Sequence, residues 1–193
     1  LNSYENRVYQ VSLEDNDGRS EGAGPSVVVA KFYRPARWTD AQILEEHQFG
    51  AELAGREIPV VAAREIGGRT LHAFRGFRFA VYPRRGGRPP ELEDEKVLEW
   101  IGRFLGRIHA VGATRPFEVR PALDVETFGY DPRDWLLDSG MIPEDLRETW
   151  ETTVDLALDG VADRFDLVDA REIRLHGDCH AGNILWTPAT GNA

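Results

Sequence analysis

Two hydrophobic patterns follow each other along the chain, and the first is typical of β-structure. Residues 8–11 and 26–33 are rich in β-branched and aromatic side chains, which favour strands. Between them, residues 15–25 are largely Asp, Asn, Gly and Ser, so we predict an exposed turn. Two further strands are predicted at residues 70–74 and 77–82. The front of the chain is therefore expected to form an antiparallel sheet.

One helix is predicted between the second and the third strand. Thr39 is a favourable N-cap, and Gln42 completes a capping box with it. Gly55 supplies a signal for the C-terminal end of this helix. After the fourth strand, residues 83–90 are rich in Gly, Pro and Arg and have little capacity for regular structure. We predict a hinge there.

The second pattern, beyond the hinge, repeats about every 3.6 residues and indicates helices. The second of the helices beyond the hinge is predicted to begin at Pro143, because proline suits the first helical position. Short strands are predicted at residues 172–175 and 184–186, on either side of a polar segment. The first helix beyond the hinge is predicted from an apolar stripe, which consists of Val97, Leu98, Ile101, Phe104, Leu105 and Ile108.

The order of the elements predicts an α+β fold with two lobes, because the strands come first and the helices follow. The length of 193 residues allows one large domain or two small lobes, and 41% hydrophobic residues suffice for a core. We expect a front lobe at residues 1–83, a hinge at 84–90 and a helical lobe at 91–193.

Composition narrows the range of partners and compartments. The formal net charge of -10 argues against binding of nucleic acid, which normally requires a basic surface. Cys179 is the only cysteine, so no internal disulfide is possible. No apolar run is long enough to cross a membrane, and no signal-like start is present. We expect a cytoplasmic, monomeric protein.

The polar segment at residues 176–183 carries the clearest chemistry. Asp178 is followed five residues later by Asn183, which is the spacing of a kinase catalytic loop. There the Asp reaches the attacking hydroxyl, and the Asn reaches a Mg²⁺ ion on the phosphates. Gly177 and Gly182 permit the tight backbone that this requires. A purely structural alternative is that Asp178 caps its own loop.

Lys31 is the only charged residue in its apolar strand, and a buried lysine requires a partner. Glu46, on the following helix, is the predicted partner, although the adjacent Glu45 competes for this role. A strand lysine paired with a helix glutamate fixes the ATP phosphates in kinases. Near the start, Ser3 and Asn6 offer further donors to phosphate oxygens. Alternatively, Lys31 extends to solvent at a strand end.

Four segments together resemble a known family. Residues 1–10, 31–35, 43–49 and 175–186 read LNSYENRVYQ, KFYRP, ILEEHQF and LHGDCHAGNILW. They resemble the aminoglycoside phosphotransferase-like kinase superfamily, and most closely its bacterial stress response kinase branch. The resemblance implies a Ser/Thr protein kinase fold that uses ATP and Mg²⁺ to phosphorylate protein hydroxyls in a stress response.

The resemblance also implies a role for each candidate residue. The front lobe would bind ATP, and the rear lobe would carry the catalytic loop. Ser3 would lie at the ATP phosphates, Lys31 and Glu46 would form the ion pair, Asp178 would be the base, and Asn183 would bind the metal. The family has a further metal-binding Asp beyond the last residue of this chain, and we expect residues 1–193 alone to be inactive.

Three alternatives remain open at the level of sequence. The same scaffold phosphorylates aminoglycosides, choline or homoserine in related kinases, so a small-molecule acceptor competes with a protein acceptor. The run of residues 177–180, Gly-Asp-Cys-His, is also similar to metallophosphoesterases, which would require further His and Asp ligands. A pseudokinase that senses ATP without catalysis is the third.

Overall fold

The computed structural model describes residues 6–13, 26–168 and 170–187. The chain divides into two compact units. One combines the residues up to Val119 with those from Ile173 onwards, and the other spans Arg120–Glu172. The predicted lobes, residues 1–83 and 91–193, divide the chain differently from these two units, so their boundaries stay predictions. Within the described residues, no helix combines the length and the apolar character needed to cross a bilayer.

The first unit contains a four-stranded antiparallel sheet, as the sequence predicts. Its strands are β1 (Arg7–Leu13), β2 (Ser26–Phe32), β3 (His72–Phe74) and β4 (Phe77–Pro83). Their spatial order is β1-β2-β4-β3, so β2 has a partner on each side. The turn predicted at residues 15–25 lies outside the described residues.

Helix α1 (Asp40–Gly55) begins at the predicted capping box. The Thr39 hydroxyl accepts a hydrogen bond from the Gln42 N–H, and the Gln42 side chain accepts one from the Thr39 N–H. The box satisfies donors that the first helical turn leaves without intrahelical partners. Ile43 is buried in one cluster with Tyr33, so one face of α1 packs on the sheet.

Helix α2 (Glu95–Gly112) follows the predicted hinge and contains the first predicted rear stripe. Asp94 caps it by accepting a hydrogen bond from the Lys96 N–H. Residues of α1 and α2 share one buried cluster, so the two helices pack together within the first unit. The buried members of this cluster are Phe49, Leu53, Ile58, Ile108 and Val111.

The second unit is helical, but the helix predicted from Pro143 begins later. The helices are α3 (Asp131–Asp138), which a π-helical turn precedes, and α4 (Arg147–Val168). Only the predicted start is wrong, because the Leu146 N–H bonds to the carbonyl three residues before it, that of Pro143, in a tight turn. The Trp150 N–H is the one that bonds four residues back, to Leu146.

Arg133 joins the two helices of the second unit. Its guanidinium donates to both oxygens of Asp155, at 2.8 and 2.9 Å, and to Glu151 at 3.2 Å. Its third carboxylate partner is the adjacent Asp134, at 2.6 Å. Arg133 therefore holds α3 against α4 through ion pairs that involve only this unit.

The strands predicted at residues 172–175 and 184–186 are also wrong. The first segment has no strand, and the second contributes a single bridge between Trp186 and Arg88. The apolar residues around Arg174 suggest a strand, but its backbone N–H bonds to the Gly112 carbonyl at the end of α2. Contact with a helix end therefore replaces pairing within a sheet.

Candidate active site

Lys31 lies on the central strand β2 and forms an ion pair with α1. Its Nζ atom donates to Glu46 Oε1 at 3.2 Å, and it lies 4.8 Å from the centre of the Tyr33 ring. The side chains of the pair are 24% and 39% exposed. An ion pair with this exposure contributes only about 0–1 kcal/mol to stability. Its main physical effect is to fix where the ammonium group lies.

The structure distinguishes the two adjacent glutamates of α1. The Glu45 carboxylate accepts hydrogen bonds from the backbone N–H groups of Glu118 and Val119, at 2.5 and 3.1 Å. Glu46 is one position further round the helix and contacts the sheet instead. The predicted choice of Glu46 as the partner of Lys31 is therefore the one that the contacts support.

A buried histidine lies directly beside this ion pair. His47 Nε2 is 2.8 Å from the Tyr33 hydroxyl, and Nδ1 is 2.9 Å from the Thr70 hydroxyl. Burial lowers the pKa of His47, and the nearby Glu46 opposes this effect. Burial also raises the pKa of Tyr82, whose hydroxyl joins the same network, to about 12. His47 and Tyr82 are therefore neutral near pH 7, and each ring nitrogen of His47 has a hydrogen-bond partner.

Stability is expected to decrease with falling pH because of His47. The unfolded chain binds a proton near pH 6.5, whereas the folded chain resists protonation until a lower pH. The contribution of neutral His47 is complete above pH 6.5 and is lost as the pH falls through the lowered pKa. Denaturant unfolding at several pH values between 8 and 5 measures this effect.

The control compares two histidine variants in the same titration. His47→Gln is expected to flatten the pH dependence of the unfolding free energy below pH 6.5. His180→Gln, which replaces a histidine that is 62% exposed, is expected to leave it close to that of the wild type. Equal slopes for the wild type and His47→Gln would contradict the assignment.

The polar segment at residues 176–183, called the Asp–Asn loop below, brings its two named residues together. The Asn183 side-chain amide donates to the Asp178 backbone carbonyl and to Asp178 Oδ2, both at 2.8 Å. A carboxylate can only accept, so the amide nitrogen must face Asp178. The Asn183 carbonyl oxygen is thereby directed away from the aspartate. The Asp178 side chain is 76% exposed and accessible to another molecule.

Glycines and a histidine shape the Asp–Asn loop. Gly177 has a φ angle of +79°, a conformation that side chains disfavour. At Gly182 the space for a side chain is filled, because a Cβ atom would lie 2.9 Å from the His180 ring. The His180 ring accepts a hydrogen bond from the Gly182 N–H at 3.1 Å. The backbone conformation therefore favours glycine at position 177, whereas a side chain at position 182 would displace the exposed His180 ring.

The chain on both sides of the Asp–Asn loop contacts other elements closely. Before the loop, a Cβ atom on Gly112 would clash with the Arg174 carbonyl oxygen. After the loop, a Cβ atom on Gly87 would lie 2.8 Å from Leu185 Cβ. Trp186 and Arg88 exchange two backbone hydrogen bonds, at 2.8 and 3.0 Å. The loop is therefore fixed against α2 at one end and against the predicted hinge at the other.

The donor set of the Asp–Asn loop fits a hard cation only in part. Carboxylate and amide oxygens are the ligands that Mg²⁺ prefers, and Asp178 and Asn183 carry such oxygens. Among the described residues, no three His, Cys, Asp or Glu side chains form a group that could hold a metal ion. The ligand cluster that a metallophosphoesterase requires is therefore not supplied by this part of the chain.

The remaining candidate residues lie near the start of the chain. Ser3 lies outside the described residues. Asn6 is described, and its side-chain oxygen is 3.4 Å from the backbone N–H of Arg34, just after β2.

One residue that the sequence patterns did not single out is Arg174, which is 2% exposed and bonds to Glu52. The sequence does contain a signal for a buried arginine, because Arg174 lies between two apolar residues, Ile173 and Leu175.

The fold is similar to that of a solved kinase structure. That structure is described as amicoumacin kinase hAmiN in complex with AMP-PNP, Ca2+ and Ami, and it matches with a TM-score of 0.71 at 21% sequence identity. The match covers 100% of this chain and 55% of that chain. It confirms the predicted α+β fold class, an aminoglycoside phosphotransferase-like kinase fold with an antiparallel sheet and helices.

Curated relatives confirm the resemblance to bacterial stress response kinases. Stress response kinase A of Salmonella choleraesuis (strain SC-B67) is 43% identical over 186 residues, and that of Escherichia coli (strain K12) is 44% identical. The "Serine/threonine protein kinase RdoA" of Salmonella typhimurium is 43% identical. Each match covers 96% of this chain and 54% of the relative, so the chain spans about half their length. Residues 1–193 match the phosphotransferase enzyme family throughout, and the chain belongs to that family.

Proposed function

We propose that the protein carrying this chain is an ATP-dependent kinase that transfers the γ-phosphoryl group of ATP to a hydroxyl. The hydrogen bond from Asn183 to Asp178 carries this proposal. It supports the assignment because one exposed loop then offers a carboxylate to an acceptor hydroxyl and an amide oxygen to a cation. Membership of the phosphotransferase family supports the same reaction class.

The proposed mechanism gives each side chain one task. Lys31, held by Glu46, binds phosphate oxygens of ATP and stabilises the charge that develops during transfer. Asp178 orients the acceptor hydroxyl and accepts its proton. Asn183 would hold Mg²⁺, which supplies neutralisation of phosphate charge when it is bound with ATP.

The nucleotide is proposed to lie beside the sheet. Its adenine would contact the backbone of residues 80–83 at the end of β4, next to the predicted hinge. Ser3 and Asn6 would offer further hydrogen-bond partners to the phosphates. These assignments depend on the order of the elements and on the family.

The acceptor is proposed to be a Ser or Thr hydroxyl of a protein, phosphorylated in the cytoplasm during a bacterial stress response. The names of the relatives support this choice, since they are a stress response kinase and a serine/threonine protein kinase. The fold neighbour is an amicoumacin kinase, which favours a small-molecule acceptor as the second candidate. We expect the active species to be a monomer.

The test uses γ-labelled ATP and the purified protein that carries this chain, with Asp178→Asn as the blank. One arm contains a general protein substrate such as casein, and the other contains an aminoglycoside, choline or homoserine. Label on Ser or Thr of the protein, dependent on Asp178, is the expected result. Label only on a small molecule would transfer the proposal to that acceptor class, and label in neither arm would contradict kinase activity.

A further inference from the structure

Arg174 is the most buried charged side chain in the described part of the chain, with 2% exposure, and it lies four residues before Asp178. Its guanidinium makes a fork of hydrogen bonds. One nitrogen donates to Glu52 Oε2 at 2.8 Å, and another donates to the Val111 carbonyl at 3.0 Å and to the Thr114 hydroxyl at 3.2 Å. Arg174 therefore contacts α1 and the end of α2 simultaneously.

Aromatic rings and a glycine restrict the same residue further. The guanidinium carbon lies 4.4 Å from the centre of the Phe49 ring and 5.9 Å from that of Phe117. The Arg174 backbone packs against Gly112 so closely that no Cβ atom fits between them. Main chain and side chain are thus both fixed, and the residue cannot shift without displacing α1 or α2.

The carboxylate that Arg174 contacts belongs to the helix that positions Lys31. Glu52 and Glu46 lie six positions apart on α1. Hydrogen bonding from Arg174 is the main reason that the pKa of Glu52 is lowered, so the Glu52 carboxylate is ionised near pH 7. A single side chain therefore connects α1 to the chain segment that leads into the Asp–Asn loop.

We propose that Arg174 is a positioning residue that holds the Asp–Asn loop in register with α1. Asp178 and the Lys31–Glu46 pair are thereby kept in the relative positions that one bound nucleotide requires. This inference rests on the proposed kinase function. Stability alone does not account for the pair, because replacing a buried ion pair with apolar residues is often neutral or stabilising. A rigid, planar fork is instead suited to fixing geometry.

The expected effect follows from the sensitivity of transfer reactions to geometry. A misplacement of about 1 Å at the reacting groups costs on the order of 10²-fold in rate. Arg174→Met fills a similar volume but removes the fork, and kcat is expected to fall about 10- to 100-fold. The KM for ATP is expected to change much less, because the groups that contact ATP remain.

Two further variants separate the contacts of Arg174. Arg174→Lys retains a charge that can reach Glu52 but cannot form the fork, so we expect partial recovery of kcat. In Arg174→Met, Glu52 keeps Arg56 and Arg115, each at 3.3 Å, and is not left without a counter-charge. The matched control is Arg133→Met, which removes a similarly paired arginine from the second unit and is expected to leave kcat near that of the wild type.

Hydrogen exchange measures the coupling without relying on turnover. In Arg174→Met, amide exchange is expected to become faster in residues 176–184 and in α1 together, whereas Arg133→Met is expected to change neither. Unchanged exchange in Arg174→Met, or a fall in kcat no greater than that of Arg133→Met, would overturn the positioning role. If the wild type transfers no phosphate, the proposed function fails, and exchange alone then decides whether the coupling exists. If Arg174→Met does not fold, Arg174→Lys decides by the same measurements.

Discussion

Replacing Asp178 with asparagine is expected to lower kcat for phosphoryl transfer by about 10²- to 10⁴-fold, the usual contribution of general base catalysis. The affinity for ATP is expected to remain close to that of the wild type. Asparagine cannot take the proton of the acceptor hydroxyl, but its side-chain oxygen can still accept the hydrogen bond from Asn183. The loop geometry therefore survives while the chemistry is removed.

The measurement separates turnover from binding in the protein that carries this chain. Initial rates at saturating ATP give kcat, and calorimetric titration with a non-hydrolysable ATP analogue gives affinity. Asp163→Asn, which changes an exposed aspartate of α4, provides the matched control and should behave like the wild type. Normal turnover in Asp178→Asn would remove the basis of the proposed function.

The second large effect is expected for Lys31→Ala. Loss of an ammonium group that stabilises the transferring phosphate costs about 3–4 kcal/mol, which corresponds to about 10²- to 10³-fold in kcat. Stability is expected to change little, because the partly exposed ion pair with Glu46 contributes at most about 1 kcal/mol. Rate and unfolding free energy should therefore respond very differently to this change.

The adjacent glutamates of α1 provide the control for Lys31. Glu46→Gln is expected to lower kcat in the same direction as Lys31→Ala but less, because the lysine remains while its position is no longer fixed. Glu45→Gln removes the same charge from the neighbouring position, where the carboxylate contacts backbone N–H groups of residues 118 and 119. Equal kinetic effects of the two substitutions would contradict the assigned roles.

Features that depend on neighbours in sequence were predictable. The capping box of Thr39 and Gln42 involves groups three residues apart, so the start of α1 could be predicted without knowledge of the fold. The strands and their antiparallel pairing followed from β-branched runs separated by turn residues. The Asp178–Asn183 contact was equally predictable, because one short loop contains both residues.

Features that depend on distant contacts were not predictable in this way. The segment around Arg174 has the composition of a strand, but Gly112, 62 residues earlier in the chain, supplies its backbone partner. Glu46 was predicted as the partner of Lys31, and the contacts support that choice. The partners of Glu45 were not predicted, because the backbone N–H groups of Glu118 and Val119 lie 73 and 74 residues away in the chain. Tertiary packing decides such cases, and local pattern does not contain that information.

The backbone bridge between Arg88 and Trp186 restricts how the predicted hinge can bend. A bend beyond Arg88 would pull on the segment that follows the Asp–Asn loop, so the pivot of the predicted hinge is limited to residues 84–87. Four residues must then absorb any rotation, through large changes in φ and ψ. A side chain added at Gly87 would also press on Leu185. Sequence changes in this connector would thereby alter the alignment of Asp178, the residue proposed as the catalytic base.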